Sequence, residues 1–258
     1  MSGPTIITSR DNALLVKLRK LAQDGVGYRR LGQAWIEGDH LCSALRARQH
    51  PAALAVVSET GWRQPALRDL AAWAPKVVLV QDSLFADLSG LESPSRLGFV
   101  IELAAAPEID SLAPTVVLDR LQDAGNVGSI LRSAAAFGFT QVLALKGTAA
   151  LWSPKVLRAG MGAHFGLRLV EALDPAALAG LRVPLVATSS HAGAELPMAV
   201  LPHPCAWVMG HEGQGVDAAL LTRCALTVRI PQPGGEESLN VAAAAAVCLY
   251  ESARQAAQ

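Results

Sequence analysis

Short apolar runs alternate with amphipathic stretches along most of the chain, and the spacing changes character near residue 110. In the first hundred residues, Leu14, Leu15, Leu18 and Leu21 recur at helical spacing, with Ser9 or Asp11 available to cap the helix. A second helix is predicted from Gly38 to Arg48, ending before Pro51. An apolar strand (Ala53 to Val57), a helix (about Gln64 to Trp73), a strand (Val77 to Val80), a short helix (Ser83 to Leu88) and a strand (Gly98 to Glu102) follow. The stretch LAAAPEIDSLAP, Leu103 to Pro114, has the texture of a linker. It divides the chain into residues 1–104, a linker at 105–114, and residues 115–258.

Beyond the linker the alternation is cleaner. Strands are predicted at Thr115–Leu118, Gln141–Leu145, Pro184–Ala187, Ala206–Met209 and Leu226–Ile230. Helices fall between and after them, at Val127–Phe137, Lys155–Arg158, Pro175–Leu181, Val216–Cys224 and Leu239–Ala256. Apolar strands separated by helices imply a parallel sheet covered on both faces. Ligands of such sheets bind in loops at the strand C-termini. The densest polar and Gly-rich loops follow Leu118, Met209 and Ile230, which predicts one composite site.

Composition narrows the class. Half of the 258 residues are hydrophobic, 17% are charged, and no apolar run approaches a membrane span. The N-terminus lacks signal architecture and the four cysteines are scattered, so a cytoplasmic protein with reduced thiols is expected. Six histidines form no metal-ligand spacing, and no metal is expected. Net charge is zero, yet residues 1–48 carry eight basic residues against four acids. Phosphate contact explains that local excess, and a solvated helix face explains it equally well.

Three loops carry the candidate chemistry. The first contains Asn126, Gly128 and Arg132; Asn126 is either a helix cap or a site residue. Arg132 sits among Ala and Ser, where packing has no need of a long cation, so an anionic partner is expected. The second, MGHEGQG from Met209 to Gly215, has three glycines that permit close backbone approach to a ligand. Glu212 within it either points into the site or accepts from loop N–H groups. The third runs from Ile230 through Pro231, Pro233, Gly234 and Gly235 to Ser238, Leu239 and Asn240, and feeds a final helix that reads as apolar all round and therefore buried. The glycine order in the second loop is wrong for a dinucleotide fingerprint.

Together, Asn126–Gly128–Arg132, Gly210–Glu212–Gly213–Gly215 and Ile230–Pro231 with Ser238 to Val241 resemble the three motifs of SpoU/TrmH-type RNA ribose 2′-O-methyltransferases, of the SPOUT superfamily. The N-terminal stretch (Ile7 to Ser9, Lys17, Leu18, Arg30, Glu37, Gly38) is similar to that family's small substrate-binding domain. The resemblance implies an α/β fold: a parallel-sheet domain with a deep trefoil knot, preceded by a small ribosomal-protein-like α/β domain. It implies S-adenosylmethionine (SAM) held by Val208, Met209, Gly210, Gly215, Ile230, Leu239 and Ala242. It also implies Arg132, Asn126, Glu212, Ser238 and Asn240 as the catalytic set, with RNA touched by Arg10, Lys17 and Arg30. A homodimer is expected, acting on rRNA or on tRNA. The chain departs from the pattern at Gly160 and Ala242, where Ser is common in the family. The competing reading is a non-catalytic RNA-binding protein that keeps the fold.

Overall fold

The computed structural model describes residues 5–89, 94–189, 192–234 and 238–258; His191 and Gly235 fall outside them. The chain separates into two compact units. One holds the residues up to Ala105 together with Trp152–Phe165, and the other holds Ala106–Leu151 with Gly166–Gln258.

In chain order the first unit contains β1 (Thr5–Ile7), α1 (Ala13–Gln23), α2 (Gly27–Leu31), β2 (Gln33–Glu37), α3 (Asp39–Ala47), β3 (Leu54–Ser58), α4 (Glu59–Trp62), α5 (Pro65–Ala71), β4 (Val77–Val80), α6 (Asp82–Leu88) and β5 (Leu97–Glu102). The strands form one mixed sheet in the order β1-β4-β3-β5-β2, in which β1, β4 and β3 run parallel and β5 pairs antiparallel with β3 and β2. Every residue of β3 is buried. Gly98 of β5 has no room for a side chain, because a Cβ there would lie 2.2 Å from the Trp35 indole of β2. The cap of α1 is Asn12, whose side chain accepts from the Leu14 N–H, rather than Ser9 or Asp11. Leu15, Leu18, Leu21 and Ala22 form its buried stripe.

The second unit contains β6 (Thr115–Leu118), α7 (Ala124–Ala136) and β7 (Gln141–Leu145). Next in the chain is α8 (Pro154–Gly160), which belongs to the first unit, where Leu157 joins the core of Ile36, Leu45, Phe99 and Ile101. The second unit then continues with β8 (Arg168–Leu173), β9 (Leu185–Thr188), β10 (Ala194–Glu195), β11 (Ala206–Met209), α9 (Ala218–Leu221), β12 (Leu226–Arg229) and α10 (Val241–Ala256). Its sheet is parallel throughout, in the order β10-β12-β9-β11-β6-β7-β8. From β6 the chain steps outward to β7 and β8, then crosses to β9 and later returns to place β11 beside β6. The order therefore reverses at β6 and β11, and ligands bind at such switch points, outside the strand C-termini.

Other expectations change as well. The helix predicted at Pro175–Leu181 is a 3-10 helix over Pro175–Gly180, and α10 is not buried all round. It buries Ala245, Cys248, Leu249 and Ser252, while Val247 and Tyr250 stay 42% and 54% exposed. Alanine fits either environment, so an Ala-rich run does not by itself report burial. Among the described residues no helix is long and apolar enough to cross a membrane.

Candidate functional site

Three strand ends of the second unit feed the site: β6, β11 and β12. The first loop leads into α7, whose cap is Asp123, accepting at 2.7 Å from the Asn126 N–H. Of the two roles its residue type allows, Asn126 is thus not the cap of α7. With its backbone satisfied by Asp123, its side chain is free to reach other loops.

It does so in a defined direction. Asn126 Nδ2 donates to Glu212 Oε1 at 3.3 Å, and Asn240 Nδ2 donates to Asn126 Oδ1 at 3.0 Å. Asn240 Oδ1 accepts from the N–H groups of Ala242 and Ala243 at 2.9 and 3.3 Å, capping α10. A carboxylate only accepts, so Asn126 must turn its amide nitrogen to Glu212 and its oxygen to Asn240. Asn240 must then turn its own oxygen to the helix. One chain of hydrogen bonds therefore joins all three loops and fixes both amide orientations.

Glu212 is an acceptor in this arrangement. Its carboxylate also takes the N–H groups of Gln122 at 3.2 Å and Asp123 at 3.0 Å. Burial pushes its pKa up, but the bonds from the backbone and from Asn126 outweigh that and hold the carboxyl below its ordinary 4.5. An ionised carboxylate already receiving these donors is a poor proton acceptor.

The turn that carries Glu212 is closed by His211 and Gly215, which exchange backbone hydrogen bonds at 3.0 and 2.8 Å. Gly215 has φ +69, a conformation that favours glycine, and Gly210 has no room for a side chain, since a Cβ there would lie 2.2 Å from the Val216 nitrogen. His211 Nδ1 accepts from the Gly213 and Gln214 N–H groups, which occupies it within the turn.

Below the turn lie two residues that residue type and spacing do not mark. Asp119, 2% exposed, accepts from Arg120 Nε at 2.9 Å, from Arg120 Nη2 at 3.1 Å and from the Asp217 N–H at 2.8 Å. Arg120 Nη1 donates to Gln214 Oε1 at 3.2 Å. An Asp directly after an apolar strand was the available signal. Asp123, three residues before Asn126, was readable as a cap for α7.

The remaining predicted residues divide. Arg132 is exposed and makes no hydrogen bond or ion pair among the described residues. It lies about 9 Å along α7 from Asn126 and turned about 120° around the axis, so it stands apart from the hydrogen-bonded chain. Ser238 is exposed beside the cap of α10. Val208 lies mid-sheet between β6 and β9, the Met209 carbonyl accepts from the Asp119 N–H, and the Ala242 N–H is taken by Asn240. By contrast, the N–H groups of Gly210, Ile230 and Leu239 have no hydrogen bond among the described residues. Gly210 is buried, and a buried N–H left open this way is uncommon unless a ligand completes it. Open backbone donors therefore remain at two strand ends and a helix start, available to a ligand with acceptor atoms. Burial pushes the Cys205 thiol up to about 11 and that of Cys248 to about 12, so both stay protonated at neutral pH. Among the described residues no group of three or more His, Cys, Asp or Glu could hold a metal ion.

Of the expected RNA contacts, Arg10 faces Asp87 at 3.4 Å and Arg30 faces Asp24 at 3.9 Å, both largely exposed. Lys17 is half-buried on α1.

Comparison with known proteins follows the same lines. The SpoU rRNA methylase family matches residues 113–250, more than half of the chain. A 23S rRNA (guanosine(2553)-2′-O)-methyltransferase of Bacillus subtilis (strain 168) is 32% identical over 219 residues, covering 83% of this chain and 86% of that protein. A 23S rRNA (uridine(2479)-2′-O)-methyltransferase of Streptomyces viridochromogenes is 30% identical over 233 residues, 80% of each chain. The crystal structure of a SpoU methyltransferase of Streptomyces viridochromogenes in complex with AdoMet superposes with a TM-score of 0.86 at 26% identity, covering 96% of this chain and 99% of that one.

Proposed function

The chain belongs to the SpoU rRNA methylase family, and we propose that it transfers a methyl group from SAM to a ribose 2′-hydroxyl of ribosomal RNA. The observation that carries this reading is the Glu212–Asn126–Asn240 chain of hydrogen bonds, which draws three strand-end loops into one polar site. SAM, when bound, supplies an electrophilic methyl group. The open N–H groups of Gly210, Ile230 and Leu239 hold it, with Gly215 shaping the turn beside them.

The protein's own part is to place the hydroxyl in line with that methyl group and to manage its proton. Arginine stays protonated at any working pH, so Arg132 serves as a cation: it grips an RNA phosphate and stabilises charge growing on the 2′-oxygen. Glu212, held ionised by its donors, ties the loops together, and the proton leaves to phosphate or water. Asn126, Asn240 and Ser238 orient the ribose.

Arg10, Lys17 and Arg30 of the first unit bind RNA backbone. The exposed Val247 and Tyr250 of α10 form part of a homodimer contact in a cytoplasmic enzyme, whose C-terminal segment carries the family's trefoil knot.

Incubation with methyl-labelled SAM and unmodified total RNA tests the activity. A 2′-O-methyl blocks alkaline cleavage at its own phosphodiester, so the labelled position maps as a gap in the hydrolysis ladder. One labelled ribose in 23S rRNA is the expected result. Label on a base, or RNA binding with no transfer, overturns the reading.

A further inference from the structure

Arg120 stands two residues past the end of β6 in a left-handed backbone conformation, φ +59, where a residue with a side chain is strained. That strained position gives the guanidinium two holds. Nε and Nη2 fork onto the buried Asp119 carboxylate, and Nη1 reaches Gln214 Oε1 at 3.2 Å. From the other side Gly147 packs on the stem, since a Cβ there would lie 3.3 Å from Arg120 Cγ. Gln214 is itself pinned, its N–H donating to His211 Nδ1 at 3.2 Å. Asp119 meanwhile takes the Asp217 N–H at 2.8 Å. Both flanks of the Glu212 turn are therefore tied to the end of β6, one through Gln214 and one through Asp217.

We propose that Arg120 is a positioning residue for SAM binding, acting through Gln214 to hold the 210–215 turn in the shape that leaves the Gly210 N–H open. The proposal rests on the methyltransferase reading of the same site. Its physical content is preorganisation: the turn is ordered before the cofactor arrives, so binding does not bear the cost of ordering it. Removing Arg120 itself would strand the buried Asp119 carboxylate and endanger folding, so the informative substitutions are at Gln214.

Gln214→Met keeps the length and loses the acceptor. SAM titration calorimetry and steady-state kinetics on this variant should show KM and Kd for SAM raised about tenfold, with kcat at saturating SAM within about twofold of wild type. Gln214→Glu restores an acceptor for Arg120 and should return SAM affinity to within about twofold of wild type. Hydrogen exchange on the SAM-free protein should be faster at the Gly213 and Gly215 amides in Gln214→Met than in wild type. Equal SAM affinity in wild type and Gln214→Met, or unchanged exchange in the turn, overturns the proposal. Equal losses in Gln214→Met and Gln214→Glu overturn it too. A wild-type protein that binds no SAM overturns the methyltransferase reading itself, and the positioning role with it.

Discussion

Asn126, Glu212 and Asn240 come from three loops far apart in sequence and satisfy one another at 3.0 to 3.3 Å, whereas Arg10, Lys17 and Arg30 come from one N-terminal stretch and share no partner. The first group uses short side chains whose donors and acceptors match in one arrangement only. The second uses long cations; the carboxylates facing Arg10 and Arg30 are 41% exposed in each case. Exposed pairs of that kind contribute about 0–1 kcal/mol and are screened by salt. The strand-end site holds a fixed geometry, whereas Arg10 and Arg30 sit in weak, solvent-exposed pairs that another anion can displace. Substitutions in the two regions should therefore fail in different observables.

The largest effect is expected at Arg132, the exposed cation without a partner among the described residues. Loss of a charge that stabilises a developing oxyanion costs about 10²- to 10³-fold in turnover. Arg132→Ala should lower kcat by that amount while SAM affinity measured calorimetrically stays within about twofold. A matching loss of SAM affinity would place Arg132 in cofactor binding instead. Glu212→Gln comes next. It replaces an ionised acceptor by an amide that must present one oxygen to the Gln122 and Asp123 N–H groups and to Asn126, so turnover should fall about tenfold. The shape of the pH–rate profile should not change under the proposed route, which gives the carboxylate no proton; loss of a basic limb would make it the base. The wild-type carboxyl, held below 4.5, contributes stability that is fully present above that value and is lost as pH falls through its folded-state value. Thermal melts of wild type between neutral pH and about pH 3 should show that loss, and Glu212→Gln should show less of it.

The asymmetry also explains what could be read from residue type alone. Strands at Thr115–Leu118, Gln141–Leu145 and Ala206–Met209 fall where the apolar runs predict them, because strands buried on both faces read as near-continuous apolar stretches. The strands β2 and β8 lie at sheet edges, where polar residues flank or interrupt the apolar stretch: Gln33 and Glu37 bound Ala34–Ile36, and Arg168 and Glu171 bound Leu169 and Val170. The motif residues Asn126, Glu212 and Asn240 were visible as residue types suited to caps and ligands, and the resemblance of three motifs marked them. What the pattern could not supply was their mutual order. Asp123 takes the cap from Asn126 by a local contact three residues apart, whereas Asp119 with Arg120 becomes the floor of the turn because pairing of β6 with β11 sets residues about ninety apart side by side. Such contacts depend on register across the sheet, which local spacing does not encode.

Asn240 separates the two roles within the site. Asn240→Ala removes the cap of α10 and should cost about 1 kcal/mol of stability, read as a lower denaturant midpoint, together with a loss of activity. Asn240→Asp keeps an acceptor for the Ala242 and Ala243 N–H groups but cannot donate to Asn126. Its stability should remain near wild type while turnover falls. Wild-type turnover in Asn240→Asp would show that the link to Asn126 is dispensable.

The smallest effects belong to the N-terminal cations, and their signature is salt rather than rate. Arg10→Ala, Lys17→Ala and Arg30→Ala should each raise KM for RNA a few-fold at moderate ionic strength and leave kcat and SAM affinity alone. Each phosphate contact removed should reduce the slope of log K against log salt by about 0.7 to 0.9. Arg10 and Arg30 must first give up Asp87 and Asp24, so part of their gain on binding phosphate is offset. Lys17, with no ion pair to break among the described residues, should show the cleanest change in slope. A variant whose affinity falls with an unchanged slope has lost packing rather than a phosphate contact. That result at all three positions would move the RNA contact to another surface of the first unit and leave the strand-end site untouched.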